Sequence, residues 1–408
     1  MRTEFSAASE GSDAIAPYYD PYDYEIDADP HPVWKRMRDE QPLYRNDKYD
    51  FWALSRFDDV LAASLEHETY SSRHGTVLDM MGPDVVGSMM IWMDPPDHTQ
   101  LRKLVSRAFS PARIAALEAD IRSIAAGYLD PFVGAGGFDY VQDFGAKLPM
   151  MVIGAMLGVP EEDRDAIRLW TDEMLHREVG ETDSSERLAR VHQALWGYFL
   201  RYVRERRQHP RDDMMTDLIE SEMTDASGVT RRLDDGELIA FIGLLSGAGN
   251  ETVARLLGWA GLTLASYPGE RRKLVDDFGK IPNAVEELLR FEAPSPVQGR
   301  YVMRDAEWYG QTVPAGSKIL LLTGSAGRDE RRYQDPDRFD VDRRFERHVT
   351  LGYGVHFCLG ASLARLEGKV ALEETLRRFP EWDVDRDGAE MVHTSSVRGF
   401  AKLPITIG

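Results

Sequence analysis

Cysteine is nearly absent from this chain: Cys358 is the only one in 408 residues. A lone thiol excludes an intrachain disulfide and a zinc site built from cysteines, and it leaves no second thiol for an iron–sulfur cluster. Such sparing use suits a reducing cytoplasm, the location expected here. Cations are also short, with 49 Lys and Arg against 69 Asp and Glu and a net charge of −20. That balance speaks against general nucleic-acid binding and against adhesion to anionic membranes. No apolar run is long enough to span a bilayer, and residues 1–16 lack the apolar core of a signal peptide. Residues 1–16 are expected to be disordered and 17–408 to form one domain. A nucleotide fingerprint is missing too. Gly134-Ala135-Gly136-Gly137 has neither the third glycine of a dinucleotide loop nor a following Lys-Ser/Thr, so it reads as a turn.

What is present centres on the stretch Leu351-Gly352-Tyr353-Gly354-Val355-His356-Phe357-Cys358-Leu359-Gly360. Its glycines allow tight turning and close approach of another group. Ala361 to Glu367 reads as a helix start, so a thiolate at Cys358 would face backbone N–H groups and the positive end of a helix, which favour charged sulfur. Three readings stand on these residues: a buried inert cysteine, a nucleophile for which no spacing shows a base, and a thiolate ligand to haem iron. The whole pattern, Gly-x-Gly-x-His-x-Cys-x-Gly-Ala, resembles the haem-ligand loop of the cytochrome P450 family, with Leu351 where the family usually has Phe. The resemblance runs from about residue 30 to 408, with its motifs in the family's order.

His98 and Arg102 stand at i and i+4 after Asp94-Pro95-Pro96, with Asp97 as the expected helix cap. Alone they would be a solvated basic face. Beside Cys358 they resemble the family's His-x-x-x-Arg clamp on haem propionates, and Arg300 and His356 resemble two further propionate ligands. Asp234 with Glu237 forms a capping box opening an apolar helix from Leu238 to about Ala265. Its internal glycines each cost about 1 kcal/mol relative to alanine, so they point either to close helix packing or to a groove. Ala248-Gly249-x-Glu251-Thr252 resembles the family's oxygen-binding motif, which implies Ala248 and Gly249 against the haem, with Gly360, and Glu251 and Thr252 as the proton-carrying pair. Glu287 and Arg290 resemble the family's Glu-x-x-Arg pair, with Arg338 of Pro336-Asp337-Arg338-Phe339 as the implied third member.

The resemblance implies a mainly α, triangular, single-domain fold with small β-sheets. It implies a monomeric haem b monooxygenase that uses O2 and electrons from a separate ferredoxin or flavodoxin. Lys103, Arg107 and Arg365 are either part of that partner's docking face or a solvated charged face. Residues 71–93 cluster methionines among glycine and proline, where the family has its substrate-covering loop. Expected pocket residues are Met80, Met81, Met89, Leu244, Leu245, Val297 and Val397, which suit a terpenoid, steroid, fatty acid or polyketide-like compound. Residues 180–185 match the family's lid, and the turn Ser395 to Phe400 is expected to enter the pocket. Pro21 to Asp29 reads as an irregular lead-in. Two other classes, a peroxide-driven oxygenase and a thiolate–haem ligand sensor, have no use for the acid–alcohol pair Glu251-Thr252.

Overall fold

The computed structural model describes residues 16–85, 89–177, 186–224, 228–344 and 346–408. The expected lid at 180–185 and nearly all of the segment 1–16 lie outside the described residues. Seven helices frame the site: α1 (Asp97–Val105), α2 (Lys147–Leu157), α3 (Glu161–Leu175), α4 (Glu186–Gln208), α5 (Asp235–Ser266), α6 (Ile281–Phe291) and α7 (Ala361–Arg378). Eight strands carry its two sheets: β1 (Leu43–Asn46), β2 (Phe51–Leu54), β3 (Tyr70–Ser71), β4 (Gly137–Asp139), β5 (Gln298–Val302), β6 (Lys318–Leu321), β7 (Trp382–Val384) and β8 (Pro404–Ile407).

Local chemistry explains where these elements begin and end. The Asp234 carboxylate accepts from Glu237 N at 2.8 Å while the Glu237 carboxylate accepts from Asp234 N at 3.0 Å, so α5 opens on the expected capping box. Gly158 closes α2 with φ 73°, a left-handed position that costs glycine little. In α6 the apolar residues Ala284, Val285, Leu288 and Leu289 recur at helical spacing and are buried together. Two local expectations are corrected. The lead-in contains a short helix, Tyr24–Ala28, because the Asp23 carboxylate accepts from the amides of Glu25 and Ile26. Asp97 is the first residue of α1 and makes no capping bond; Asp94 instead turns back to accept from Ser72 N at 3.0 Å.

The larger sheet has the order β1-β2-β6-β5-β3, with β2 and β6 parallel and every other neighbour antiparallel. Alternation along β6 splits the apolar residues between two cores. Ile319 and Leu321 join Leu54, Val60 and Val302 on one face, while Leu320 joins Tyr19, Trp34 and Phe51 on the other. The smaller sheet, β7-β8-β4, ties residues 404–407 to residues 137–139. The main core surrounds α5, which touches α2, α3, α4 and α7. The chain is thus mainly helical with small sheets. No helix among the described residues is long and apolar enough to cross a membrane.

Candidate functional site

The cysteine loop is shaped by two glycines in left-handed conformation, Gly352 at φ 70° and Gly354 at φ 68°. A side chain at Gly354 would also meet Ser64 O at 2.9 Å. The amide of Cys358 donates to Leu351 O at 2.8 Å, closing the loop just before α7. Cys358 is half-buried. Burial pushes its thiol up, and the Gly360 N–H and the charges of Arg102 and Arg365 offset this only in part. The helix start therefore does not by itself produce a thiolate. A coordinating metal does, because its charge deprotonates a thiol outright.

Around the loop lies an excess of donors without acceptors. Arg300 on β5 is buried, yet among the described residues its guanidinium donates only to the carbonyl of its neighbour Gly299, at 2.7 Å. Burial pulls its guanidinium down to about 10, with Asp94 opposing. The rings of His98 on α1 and His356 in the loop lie 4.4 Å apart, and His98 Nδ1 and His356 Nε2 are buried without a partner. Burial and the charge of Arg102 hold His98 down at about 4; burial, Arg300, His98 and Arg102 push His356 lower still. Arg102 reaches across to the carbonyl of Phe357. Buried, uncompensated cations are costly. This set fits a group that brings carboxylates, as the propionates of haem do. No set of three or more His, Cys, Asp or Glu side chains among the described residues is placed to hold a bare metal ion.

The middle of α5 is open on one side. Ala248 is exposed, and Gly243, Leu244, Gly249 and Thr252 are half-buried, in a helix otherwise packed on every side. A side chain at Gly249 would stand 3.7 Å from Ile153 of α2, an ordinary contact, so helix packing alone does not demand glycine there. Thr252 Oγ1 donates to Ala248 O at 2.8 Å. Glu251 is buried, and its Oε2 accepts from Arg255 Nε at 3.1 Å and Nη2 at 2.7 Å. Arg255 was missed in the sequence, although Glu251-x-x-x-Arg255 is an i, i+4 pair within an apolar helix. Asp172 of α3, 3.8 Å from Arg255 Nη2, gave no sequence signal.

Behind the loop, Glu287 and Arg290 are fully buried and paired at 2.7 and 2.8 Å. The third member of this cluster is corrected. Arg343, not Arg338, places its Nε 3.0 Å from Glu287 Oε1. Arg338 is exposed and offers only its backbone carbonyl, which accepts from Arg343 at 2.8 Å. The segment turns at Asp335 to Asp340, so Arg338 faces solvent while Arg343 returns to the core. Gly327 is pressed against Arg290 O so closely that a Cβ would stand 2.4 Å from it.

Of the expected pocket residues, Met80, Met89 and Leu244 are half-buried, and Met81, Leu245, Val297 and Val397 are buried. Met81 covers Gly299, where a Cβ would fall 2.4 Å from its sulfur. Val297 and Val397 border a gap of about 20 Å³ walled by Tyr19, Trp34 and Pro296. The turn after Thr394 reaches the methionine segment: Ser395 Oγ donates to Asp79, which also accepts from Arg177 Nε at 2.6 Å. Lys103 on α1 and Arg107 in the turn after it are exposed, whereas Arg365 is held by Glu286 at 2.6 and 3.0 Å.

A family model described as Cytochrome P450 matches residues 280–407. The chain is 40% identical over 392 residues to the putative cytochrome P450 123 of Mycobacterium tuberculosis, covering 95% of this chain and 96% of that one. It is 35% identical to a vitamin D(3) 25-hydroxylase of Pseudonocardia autotrophica, covering 93% and 94%. Among solved structures, the Bacillus subtilis bacillaene polyketide synthase cytochrome P450 PksS superposes with a TM-score of 0.86 at 32% identity, covering 96% of this chain and 100% of that one. CYP109E1 of Bacillus megaterium, solved in complex with testosterone, gives 0.84 at 29% identity, covering 94% and 99%.

Proposed function

The chain belongs to the cytochrome P450 family of haem monooxygenases, and from that premise we propose that it inserts one oxygen atom of O2 into a C–H bond of a hydrophobic small molecule of the terpenoid, steroid, fatty-acid or polyketide type. Relatives named for vitamin D(3) 25-hydroxylation and for polyketide biosynthesis support that range. So do the methionines Met80, Met81 and Met89 clustered in one segment of the sequence.

The observation that carries the site assignment is the buried Arg300, without a carboxylate bonded to it among the described residues, beside the unpartnered nitrogens of His98 and His356. Two propionates would meet Arg102 and Arg300 as charge-assisted partners and His98 and His356 as donors. The same carboxylates would raise both imidazoles from their depressed state. Haem b, when bound, supplies the oxygen activation that no side chain can. Cys358 would hold its iron through the sulfur, with the Gly360 N–H favouring the charged form. Ala248 and Gly249 leave the helix face open, and the Thr252 hydroxyl and Glu251 carboxylate manage protons there. Electrons come from a separate ferredoxin or flavodoxin.

Reduced protein under carbon monoxide is expected to show the red-shifted Soret band of a thiolate complex. Retention of that band in Cys358→His would refute the assignment. Arg300→Ala is expected to speed haem loss without moving the Soret band of the loaded fraction. A screen of sterols, fatty acids and polyketides for a ferric spin shift then narrows the substrate.

A further inference from the structure

One carboxylate holds the chain on both sides of the cysteine loop. Glu286 on α6 accepts from Arg365 Nε at 2.6 Å through Oε1 and from Arg365 Nη2 at 3.0 Å through Oε2. Oε2 also lies 3.0 Å from His348 Nε2. An ionised carboxylate only accepts, so that nitrogen carries a proton. His348 precedes Cys358 in the chain and Arg365 follows it, on α7. Thr350 adds a tie to the same helix, its Oγ1 donating to Leu289 O at 2.9 Å. Access widens along the set: the side chain of His348 is 5% exposed, that of Glu286 24% and that of Arg365 38%. A guanidinium this open to water is solvated without a carboxylate. The two parallel bonds therefore fix where its charge lies rather than rescue it from burial. The adjacent acid Glu287 is committed elsewhere, to Arg290, Arg343 and Asp340 N.

We propose that Glu286 is a positioning residue for the haem ligand: by holding and partly neutralising Arg365, it limits the positive charge felt at the Cys358 sulfur and so keeps the reduction potential of the bound iron low. The proposal rests on the reading of Cys358 as that ligand. A cation beside a ligand sulfur draws electron density from it and favours the reduced metal, and a carboxylate paired with the cation works the other way. The electrostatics agree with the geometry. Burial dominates at Cys358, but the charge of Arg365 draws the thiol down, and a charged sulfur in turn helps hold Arg365 up. Burial pushes Glu286 up, yet its bonds to His348 and Arg365 and their charges outweigh it and hold it down at about 2. It is therefore ionised wherever the protein is folded near neutral pH. The other cation acting on the sulfur, Arg102, donates to the Phe357 carbonyl. Of these two cations, Arg365 is the one paired with a protein carboxylate among the described residues.

Ferric–ferrous potentials of the haem-loaded protein, from dye-mediated titration, test this without turnover. Glu286→Gln keeps the shape and one acceptor but drops the negative charge. It is expected to shift the reduction equilibrium toward the ferrous form about threefold, or about 28 mV upward at 59 mV per tenfold. Arg365→Gln is expected to shift it the opposite way by a similar factor, and Arg365→Lys, which keeps the charge, to recover most of that fall. Opposite signs from the two partners of one ion pair separate charge control from stiffening of the loop, which would move both variants the same way or neither. Shifts of one sign, or none, in variants whose reduced carbon monoxide complex keeps the thiolate Soret band overturn the proposal. Should Glu286→Gln fail to retain haem, Arg365→Gln and Arg365→Lys decide, and an unchanged or higher potential in Arg365→Gln overturns it. Wild-type protein without the thiolate band overturns the reading of Cys358 instead.

Discussion

Removing the Arg343 side chain tests the corrected membership of the buried acid cluster. Glu287 is 0% exposed and accepts from Arg290 at 2.7 and 2.8 Å, from Asp340 N at 3.0 Å and from Arg343 Nε at 3.0 Å. Arg343→Ala removes one charge-assisted bond to a buried carboxylate, worth about 1.5–3 kcal/mol. It also strips donors from the carbonyls of Gln334, Asp335 and Arg338, which lie near solvent where water replaces part of the loss. Together these give an expected destabilisation of about 3–5 kcal/mol, the usual scale for breaking a buried ion pair from one side. Arg338→Ala removes an exposed side chain and is expected to stay within about 0.5 kcal/mol. Urea midpoints at fixed m-value, with haem loss followed in parallel, compare the two variants. A double-mutant cycle with Glu287→Gln isolates the pair. An Arg338→Ala variant as unstable as Arg343→Ala would mean that the geometry at Glu287 has been misread.

Other outcomes follow from the same interior. Burial pushes Glu367 up to about 8 from 4.5, so it is protonated in the fold where the unfolded chain is already ionised. Stability is then lost as pH rises from about 4.5 to 8, and Glu367→Gln is expected to flatten that fall by about 3–5 kcal/mol in urea titrations across pH; parallel curves for the two proteins would count against it. Thr252→Ala is expected to keep substrate binding but divert electrons to hydrogen peroxide. Undiminished product per electron would leave its bond to Ala248 O as its whole role. Electron transfer from the redox partner is expected to slow with added salt, which screens exposed charges beyond about 8 Å, and with replacement of Lys103 and Arg107; a rate indifferent to both excludes them as the docking face. Arg365, already held by Glu286, is expected to matter less.

How much of this was legible depended on whether the signal was local. The capping box at Asp234 and Glu237, the apolar spacing of α6, and the alternating strands around Arg300 and Ile319 are written within a few residues each. The clustering of His98, Arg102, Arg300 and His356 was legible only through family resemblance, since three segments far apart in the chain supply the four side chains. What sequence did not carry is partnership across elements. Arg338 and Arg343 are two arginines in one short stretch, and only the turn between them decides which reaches Glu287. Asp172 is one acid among many on an ordinary amphipathic helix until α3 is laid against α5. The helix start after Cys358 favours a charged sulfur, as its sequence suggests, but the burial that opposes it is set by the fold.

The smaller sheet has a bearing on how the molecule is made. β4 spans residues 137–139, and its partner β8 spans residues 404–407. Tyr140 likewise donates its amide to Leu403 O at 2.9 Å, and the amide of Arg398 to Pro294 O at 2.9 Å. At a synthesis rate of roughly 5–20 residues per second, β4 waits on the order of tens of seconds after leaving the ribosome before the strand that satisfies it has been made. During that time its edge is bare, and α5 emerges before α7 and β7, which cover its flank. The nascent chain must therefore be shielded or kept loose until the cysteine loop and the strand beyond it arrive. Slowing translation downstream of α5 is expected to lower the soluble yield more than slowing it upstream.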